Sequence, residues 1–247
     1  MSLKLGLNLT RYYSINFDLP KRNKKKIIYI ILHYTGMKKE TQAIERLCDS
    51  QSKVSSHYFV KNNGKVLNLI PDLYTAWHAG KSNWKSDKSL NKKSIGIEIA
   101  NKGHQFGYQN YSKKQIKSLI KLSKYLIKKY NITKNNILGH SDIAFERKKD
   151  PGEKFPWKLL SKKNIGIWHK VNEKKLKKIR NKNISKLEKE FFFKLLSKIG
   201  YFVRTIKASK KILLVKSFQR HFRQKLINGK IDQECLLIAK KLSKFEH

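Results

Sequence analysis

The chain has 247 residues, 39% of them hydrophobic, and a formal net charge of +40 from 57 Lys+Arg against 17 Asp+Glu. That length holds one large domain, or one domain with a small module, and that apolar content excludes wholesale disorder. The charge favours a polyanionic partner, yet only 8 of the 57 basic residues are Arg. Without the planar Arg fork or a recognition motif, nucleic acid is not expected as a partner, whereas a carboxylate-bearing polymer would gain from the same field.

At the start, residues 1–26 lack the apolar stretch of about 7–15 residues that a signal peptide carries, and "IIYIIL" (27–32) is too short to span a bilayer. The expected location is therefore cytoplasmic, with the periplasm or cell envelope as the alternative. Cys48 and Cys235 are far apart and form no metal-type spacing, so two buried thiols are expected. "KIIYIILHYTG" (26–36) is a continuous apolar run and predicts a buried central strand with His33 at its C-terminal mouth. "KETQAIERLCD" (39–49) is helical. "SSHYFVKNNGKVLNLIP" (55–71) predicts a hairpin turning at Asn63-Gly64. "SIGIEIAN" (94–101) predicts another strand. Residues 112–130 form an amphipathic helix opened by a Ser112/Gln115 capping box, with Ile116, Leu119, Ile120, Leu126, Ile127 and Tyr130 as its stripe. "NNILGHSDI" (135–143) predicts a short strand ending at His140.

Strands and helices alternate to about residue 160, which indicates an α/β sheet with helices packed on it. Sites in open sheets collect past the strand ends, where His33 and His140 fall. The lysine-rich stretch that follows reads as a basic linker, 166–185, between a first domain, 1–165, and a helical module, 186–247. The module has three helices, at about 186–198, 210–223 and 233–243, the last opened by Asp232.

Two imidazoles at strand ends and Asp150 before the turn-forming Pro151-Gly152 make a plausible three-ligand zinc set with an open fourth position. Spacing alone leaves other readings. Asp150 could simply cap a surface turn, and the His57 or His78 loops could supply ligands instead. Glu98, between Ile97 and Ile99, is either a solvent-facing residue of an alternating strand or a desolvated carboxylate with a raised pKa suited to general-base work.

Taken together and in order, "IILHYTGM", "VSSHYFV", "LIPDLYTAWHAG", "SIGIEIANKGH" and "ILGHSDIAFERKKDPGEKFPW" resemble the zinc-dependent N-acetylmuramoyl-L-alanine amidases of the AmpD/AmiD type, over roughly residues 12–168. The resemblance implies a mixed sheet flanked by helices with Zn²⁺ in a surface groove. It implies His33, His140 and Asp150 as metal ligands, Glu98 as general base and acid, and Lys148 as oxyanion stabiliser. Tyr34, Thr35, His57, Trp77, His78 and Asn101 are the expected substrate contacts. "SFQRHFR" and "NGKIDQEC" resemble the three-helix peptidoglycan-binding domain appended to such enzymes. The family's pattern there usually has Thr where this chain has Cys235. The implied function is hydrolysis of the amide between N-acetylmuramic acid and L-alanine, by a monomer acting on peptidoglycan or muropeptide fragments. A non-catalytic peptidoglycan-binding protein on the same fold is the alternative.

Overall fold

The structure, a computed structural model, describes residues 9–245. The first eight residues of the expected amidase unit and the last two of the helical module lie outside them. The chain opens with β1 (Leu9–Arg11) and β2 (Phe17–Asp18), passes through β3 (Tyr29–Tyr34) and α1 (Glu40–Cys48), and forms the hairpin of β4 (Tyr58–Val60) and β5 (Val66–Asn68). Short strands β6 (Thr75–Ala76), β7 (Asn83–Trp84) and β8 (Asp87–Lys88) precede β9 (Ser94–Ile99). Then come α2 (Lys113–Tyr130), β10 (Ile137–Gly139), the single turn α3 (His140–Ile143) and α4 (Trp157–Ser161). The chain closes with α5 (Glu173–Ile179), α6 (Lys186–Ile199), α7 (Lys211–Phe222) and α8 (Gln233–Leu242).

The six-stranded sheet has the order β1-β5-β4-β9-β3-β10, antiparallel only between β4 and β5, so it is the mixed, helix-flanked sheet that was expected. β3 lies between β9 and β10 and is buried from Tyr29 to His33. Its continuous apolar run follows from having both faces covered. Ile30 and Leu32 pack with Ile95, Ile97 and the Leu119, Leu122 and Leu126 stripe of α2. Tyr29 and Ile31 pack on the opposite face, with Leu138, Ile143 and residues of the C-terminal helices. The capping box of α2 is present: Ser112 Oγ accepts the Gln115 N–H at 3.1 Å, and Gln115 Oε1 accepts the Ser112 N–H at 2.9 Å. Leu122, outside the expected stripe, is buried, while Ile116, Ile120 and Ile127 are half-buried.

The linker expectation is corrected. Residues 166–185 contain α5 and bury Ile167, His169, Leu176 and Ile184. The segment is latched to α8. Arg180 donates through Nε and Nη2 to the two Glu234 oxygens, at 2.7 Å each, and the Asn181 N–H donates to Asp232 Oδ2 at 3.0 Å. The three expected helices α6, α7 and α8 are present, but they do not hang from a tether. Phe192, Leu196, Leu214 and Phe218 share one apolar cluster with Tyr29, Ile31 and Leu138 of the sheet. Each fully buried Leu or Phe contributes about 1.5–3 kcal/mol, so this contact holds the helices to the sheet. Lysine density concealed it: a few apolar residues on one face suffice when the sheet supplies the rest of the core. Cys48 and Cys235 are free thiols; Cys235 is buried as expected, but Cys48, the last residue of α1, is only half-buried. Among the described residues no helix is long and apolar enough to cross a membrane.

Candidate metal centre and active-site groove

β3 and β9 run in parallel with His33 and Glu98 as register partners. β10 runs into α3, which opens with His140. The loop after α3 returns through Ala144–Lys149 to Asp150, whose carbonyl accepts the Ser141 N–H at 2.8 Å. These elements bring His33 Nδ1, His140 Nδ1 and Asp150 Oδ2 into a buried triangle with edges of 2.9, 3.1 and 3.1 Å. Among the described residues, these three form the group that could hold a metal ion.

The Pro151-Gly152 turn fixes the third corner. Tyr108 and Tyr111 hydroxyls both donate to the Pro151 carbonyl at 2.7 Å. Gly152 has φ +80°, and a Cβ there would lie 2.5 Å from Tyr108 Oη, so glycine is required by both backbone and space. The strand-end glycine matters too. A Cβ on Gly139 would lie 2.7 Å from Pro151 Cδ.

Hydrogen bonds behind the triangle assign the ring protons. His140 Nε2 lies 3.2 Å from the Ala79 carbonyl, to which it donates, and 3.5 Å from Arg147 Nη2; the tautomer with that proton leaves Nδ1 a bare lone pair. His33 is held by a longer chain. Ser94 Oγ donates to the Leu90 carbonyl at 2.7 Å and therefore accepts from His78 Nε2 at 3.2 Å. His78 Nδ1 is then the acceptor for His33 Nε2–H at 3.1 Å, and His33 Nδ1 is bare as well. Burial first, and the neighbouring His140 second, hold His33 down to about 4, so it is neutral at pH 7. Asp150 Oδ2 faces the two ring nitrogens at 3.1 Å each. Three lone pairs thus converge with no proton between them, an arrangement a cation completes. Their spacing suits a small tetrahedral ion with bonds of about 2.0–2.1 Å, whose ligand–ligand edge is about 3.3 Å.

His78 reaches His33 because β9 carries a glycine where the ring crosses it. A Cβ on Gly96 would sit 2.4 Å from His78 Cγ. His78 therefore belongs behind the metal triangle, although it also borders the groove.

The triangle opens into a groove of about 510 Å³ lined by Glu98, Lys148, Trp77, Tyr34 and Thr35 among others. Glu98 does not point to bulk solvent. Its Oε2 is buried with no hydrogen-bond partner. Burial, reinforced by the charge on Asp150 and opposed by Lys148, pushes it well above the usual carboxylate range. Trp77 is pinned by its indole N–H donating to Asp18 Oδ1 at 2.8 Å. Thr35 Oγ1 donates to the Asn101 carbonyl at 2.9 Å, tying the ends of β3 and β9 together.

Two expected contacts fall elsewhere. His57 is fully buried, with Nδ1 accepting the Gly96 N–H at 3.0 Å beneath the sheet end. Asn101 is buried, its side chain accepting from the Gly103 N–H at 3.0 Å and donating to the Gln109 carbonyl at 2.9 Å. Both shape loops rather than line the groove. The sequence reading missed Arg46 and His104, which do line it. Tyr34 Oη donates to His104 Nδ1 at 2.9 Å, and His104 in turn donates to Glu153 at 3.0 Å. The scarcity of arginine in this chain was the one signal for Arg46. Arg147 also borders the groove, but its guanidinium is spent on the Ala79 and Lys81 carbonyls of the Trp77–Lys81 loop.

The sequence pattern of the N-acetylmuramoyl-L-alanine amidase family matches residues 23–153. The amidase AmiD of Escherichia coli (strain K12) is 34% identical over 232 residues, 88% of this chain and 82% of its own length. The 1,6-anhydro-N-acetylmuramyl-L-alanine amidase AmpD of Haemophilus influenzae is 37% identical over 108 residues, 43% of this chain and 56% of its own. Among solved structures, E. coli AmiD in complex with the substrate anhydro-N-acetylmuramic acid-L-Ala-D-γ-Glu-L-Lys aligns with a TM-score of 0.77 at 33% identity, over 88% of both chains. AmpDh3 of Pseudomonas aeruginosa aligns with a TM-score of 0.78 at 28% identity, over 92% of this chain and 95% of its own. The likeness extends over most of the chain, and this chain belongs to the N-acetylmuramoyl-L-alanine amidase family.

Proposed function

We propose that the protein uses one Zn²⁺ to hydrolyse the amide between the lactyl group of N-acetylmuramic acid and L-alanine in muropeptides or peptidoglycan. The observation that carries this reading is the triangle of three bare lone pairs beside an unpartnered, desolvated glutamate in one groove. His33, His140 and Asp150 are the ligands, and zinc so held supplies Lewis acidity and acidifies water.

The chain's own groups do the proton work. Glu98 takes a proton from the attacking water as the new C–O bond forms, and returns it to the alanine nitrogen as the C–N bond breaks. Its burial suits this role, because a carboxylate raised toward neutrality both accepts and gives up a proton readily. The Lys148 ammonium lies at the same groove and balances the charge developing on the carbonyl oxygen, a contribution of about 3–4 kcal/mol where one such donor is removed in other enzymes. Arg46 and Lys149 add positive charge along the groove, which suits the free carboxylates of a stem peptide. Trp77, held by Asp18, offers a fixed apolar face.

The test is metal analysis of the purified protein, followed by incubation with a soluble anhydro-muropeptide and, separately, with insoluble sacculi. The expected result is about one zinc per chain and release of stem peptides with a new alanine amine, read by mass. Cleavage of the soluble fragment alone fits action on cytoplasmic fragments, and cleavage of sacculi fits the envelope. Wall binding without release from either substrate would overturn the amidase reading in favour of a non-catalytic binding protein.

A further inference from the structure

α3 has only four residues, and one turn of helix does not hold itself in place. Yet it carries the ligand His140, and its Ser141 N–H bonds the backbone of the ligand Asp150 at 2.8 Å. Something else must fix it. The contacts come from the C-terminal helices. Asp142, two residues after His140, is 1% exposed. Its Oδ1 accepts the Tyr201 hydroxyl at 2.7 Å, and its Oδ2 accepts His221 Nδ1–H at 2.7 Å and the Gly139 N–H at 2.8 Å. Ser217 Oγ donates to the Ser141 carbonyl at 2.7 Å. The His221 ring stacks on Trp157 with centroids 3.8 Å apart, and Gln224 Nε2 donates to the Phe155 carbonyl at 2.7 Å. Tyr201 follows α6, and Ser217 and His221 lie on α7. Every one of these bonds lands on the 139–157 segment that holds two of the three ligands.

We propose that the C-terminal helices are a positioning element for the metal centre. Tyr201 and His221 hold Asp142, Asp142 holds α3, and α3 sets the places of His140 and Asp150. Tyr201, Ser217 and His221 are thus positioning residues, outside contact with metal or substrate. Partners that orient metal ligands typically contribute 10–100-fold to metal affinity. The inference rests on the reading of His33, His140 and Asp150 as a metal site, but not on the identity of the substrate.

The experiment uses the full chain with Tyr201→Phe, His221→Ala and, as a control, Glu234→Gln. Glu234 pairs with Arg180 at the end of α5 and with Arg223 at the end of α7, 3.5 Å away, and has no hydrogen bond or ion pair with α3. Affinity for Zn²⁺ is measured by chelator competition, ligand geometry by the visible absorption of the Co²⁺-loaded protein, and fold by the thermal midpoint. The expected result is a loss of Zn²⁺ affinity of about 10–100-fold and an altered Co²⁺ band in Tyr201→Phe and His221→Ala. Glu234→Gln should lower the thermal midpoint and leave affinity and band unchanged. Tyr201→Phe removes one hydroxyl and keeps the test alive should His221→Ala fail to fold. Wild-type affinity and an unaltered band in Tyr201→Phe would overturn the proposal. So would an equal affinity loss in Glu234→Gln at matched stability, since the effect would then be general loosening. Because the readout needs no turnover, a wild type that binds zinc but cleaves nothing would defeat the amidase reading and leave this one standing.

Discussion

Two histidine–aspartate contacts lie on either side of a single helical turn, and they are chemically opposite. On the groove side, His140 Nδ1 and Asp150 Oδ2 stand 3.1 Å apart with His33 Nδ1 as a third lone pair. On the inner side, His221 Nδ1 and Asp142 Oδ2 stand 2.7 Å apart, and Tyr201 and Gly139 supply further donors to the same carboxylate. The first cluster has more acceptors than protons and is complete only with a cation. In the second, three donors meet the two oxygens of one carboxylate, which protein alone satisfies, while His221 Nε2 is left buried without a partner. Distance does not separate the two; the count of protons facing each carboxylate does.

The comparison breaks most directly with paired substitutions. Without metal, Asp142→Ala leaves Tyr201, His221 and the Gly139 N–H without their acceptor, and a loss of about 3–5 kcal/mol is expected. His140→Ala should cost far less in the metal-free protein. The order reverses when zinc is added. At a thousandfold excess over its Kd, a ligand stabilises by about 4 kcal/mol, and His140→Ala should forfeit that gain along with activity. Chemical denaturation with and without zinc checks both. A zinc-dependent gain in His140→Ala as large as in wild type would refute the distinction.

Glu98→Gln tests the groove without touching the triangle. The carboxamide keeps the shape but shuttles no proton. Zinc content should be unchanged and turnover should fall by about 10²–10⁴-fold. Turnover near wild type would move the base to another residue.

Gly96→Ala asks whether the His78 chain matters. The new methyl would occupy the space of the His78 ring, which lies 2.4 Å from the Cβ position. With His78 displaced, His33 loses the acceptor that keeps its Nδ1 free. A drop of about 10-fold or more in zinc affinity is expected, measured by chelator competition. Undiminished affinity would assign His78 to packing alone.

The smallest effect concerns a carboxylate away from both clusters. Asp72 receives Tyr58 Oη and Tyr130 Oη at 2.6 Å and Lys129 Nζ at 2.6 Å. Burial alone would raise it, but these bonds win and hold it below its ordinary value of 3.8. A depressed folded-state value stabilises above the unfolded value and ceases to as pH falls through the folded one. Asp72→Asn should therefore flatten the dependence of stability on pH below about 4 and lower stability at pH 7 by about 1–3 kcal/mol. Thermal midpoints between pH 2.5 and 7 test it. An unchanged acid slope would mean that other carboxylates carry it.

Much of the site was legible because rigid signals mark it. The apolar run of β3 placed His33, the end of "NNILG" placed His140, and Pro151-Gly152 singled out Asp150. Glu98 stayed ambiguous because alternation in a strand looks the same whether the polar face meets solvent or a closed groove. His57 was misplaced because a histidine at the mouth of a strand can turn under the sheet as easily as over it. Gly96 went unremarked, since nothing local shows that a ring from residue 78 needs its missing side chain. The linker was misread for a related reason. Leu176 stands among lysines in α5, and only the apolar face brought to it from elsewhere in the chain makes that single leucine a core residue.

The register pairing of His33 with Glu98 has one further consequence. Neighbouring strands sit about 4.7–4.9 Å apart along their hydrogen bonds, so the spacing between the metal ligand and the proton carrier is a property of the ladder, not of any loop. A slip by one residue would turn one of them to the opposite face, and no smaller slip exists. The side chains of Trp77, His104 and Lys149 can therefore be exchanged without altering that spacing, whereas the loops that carry them also supply His78, Tyr108, Lys148 and Asp150 and must keep their course. Exchange of those three side chains between related amidases should alter substrate choice while leaving the spacing of ligand and proton carrier in place.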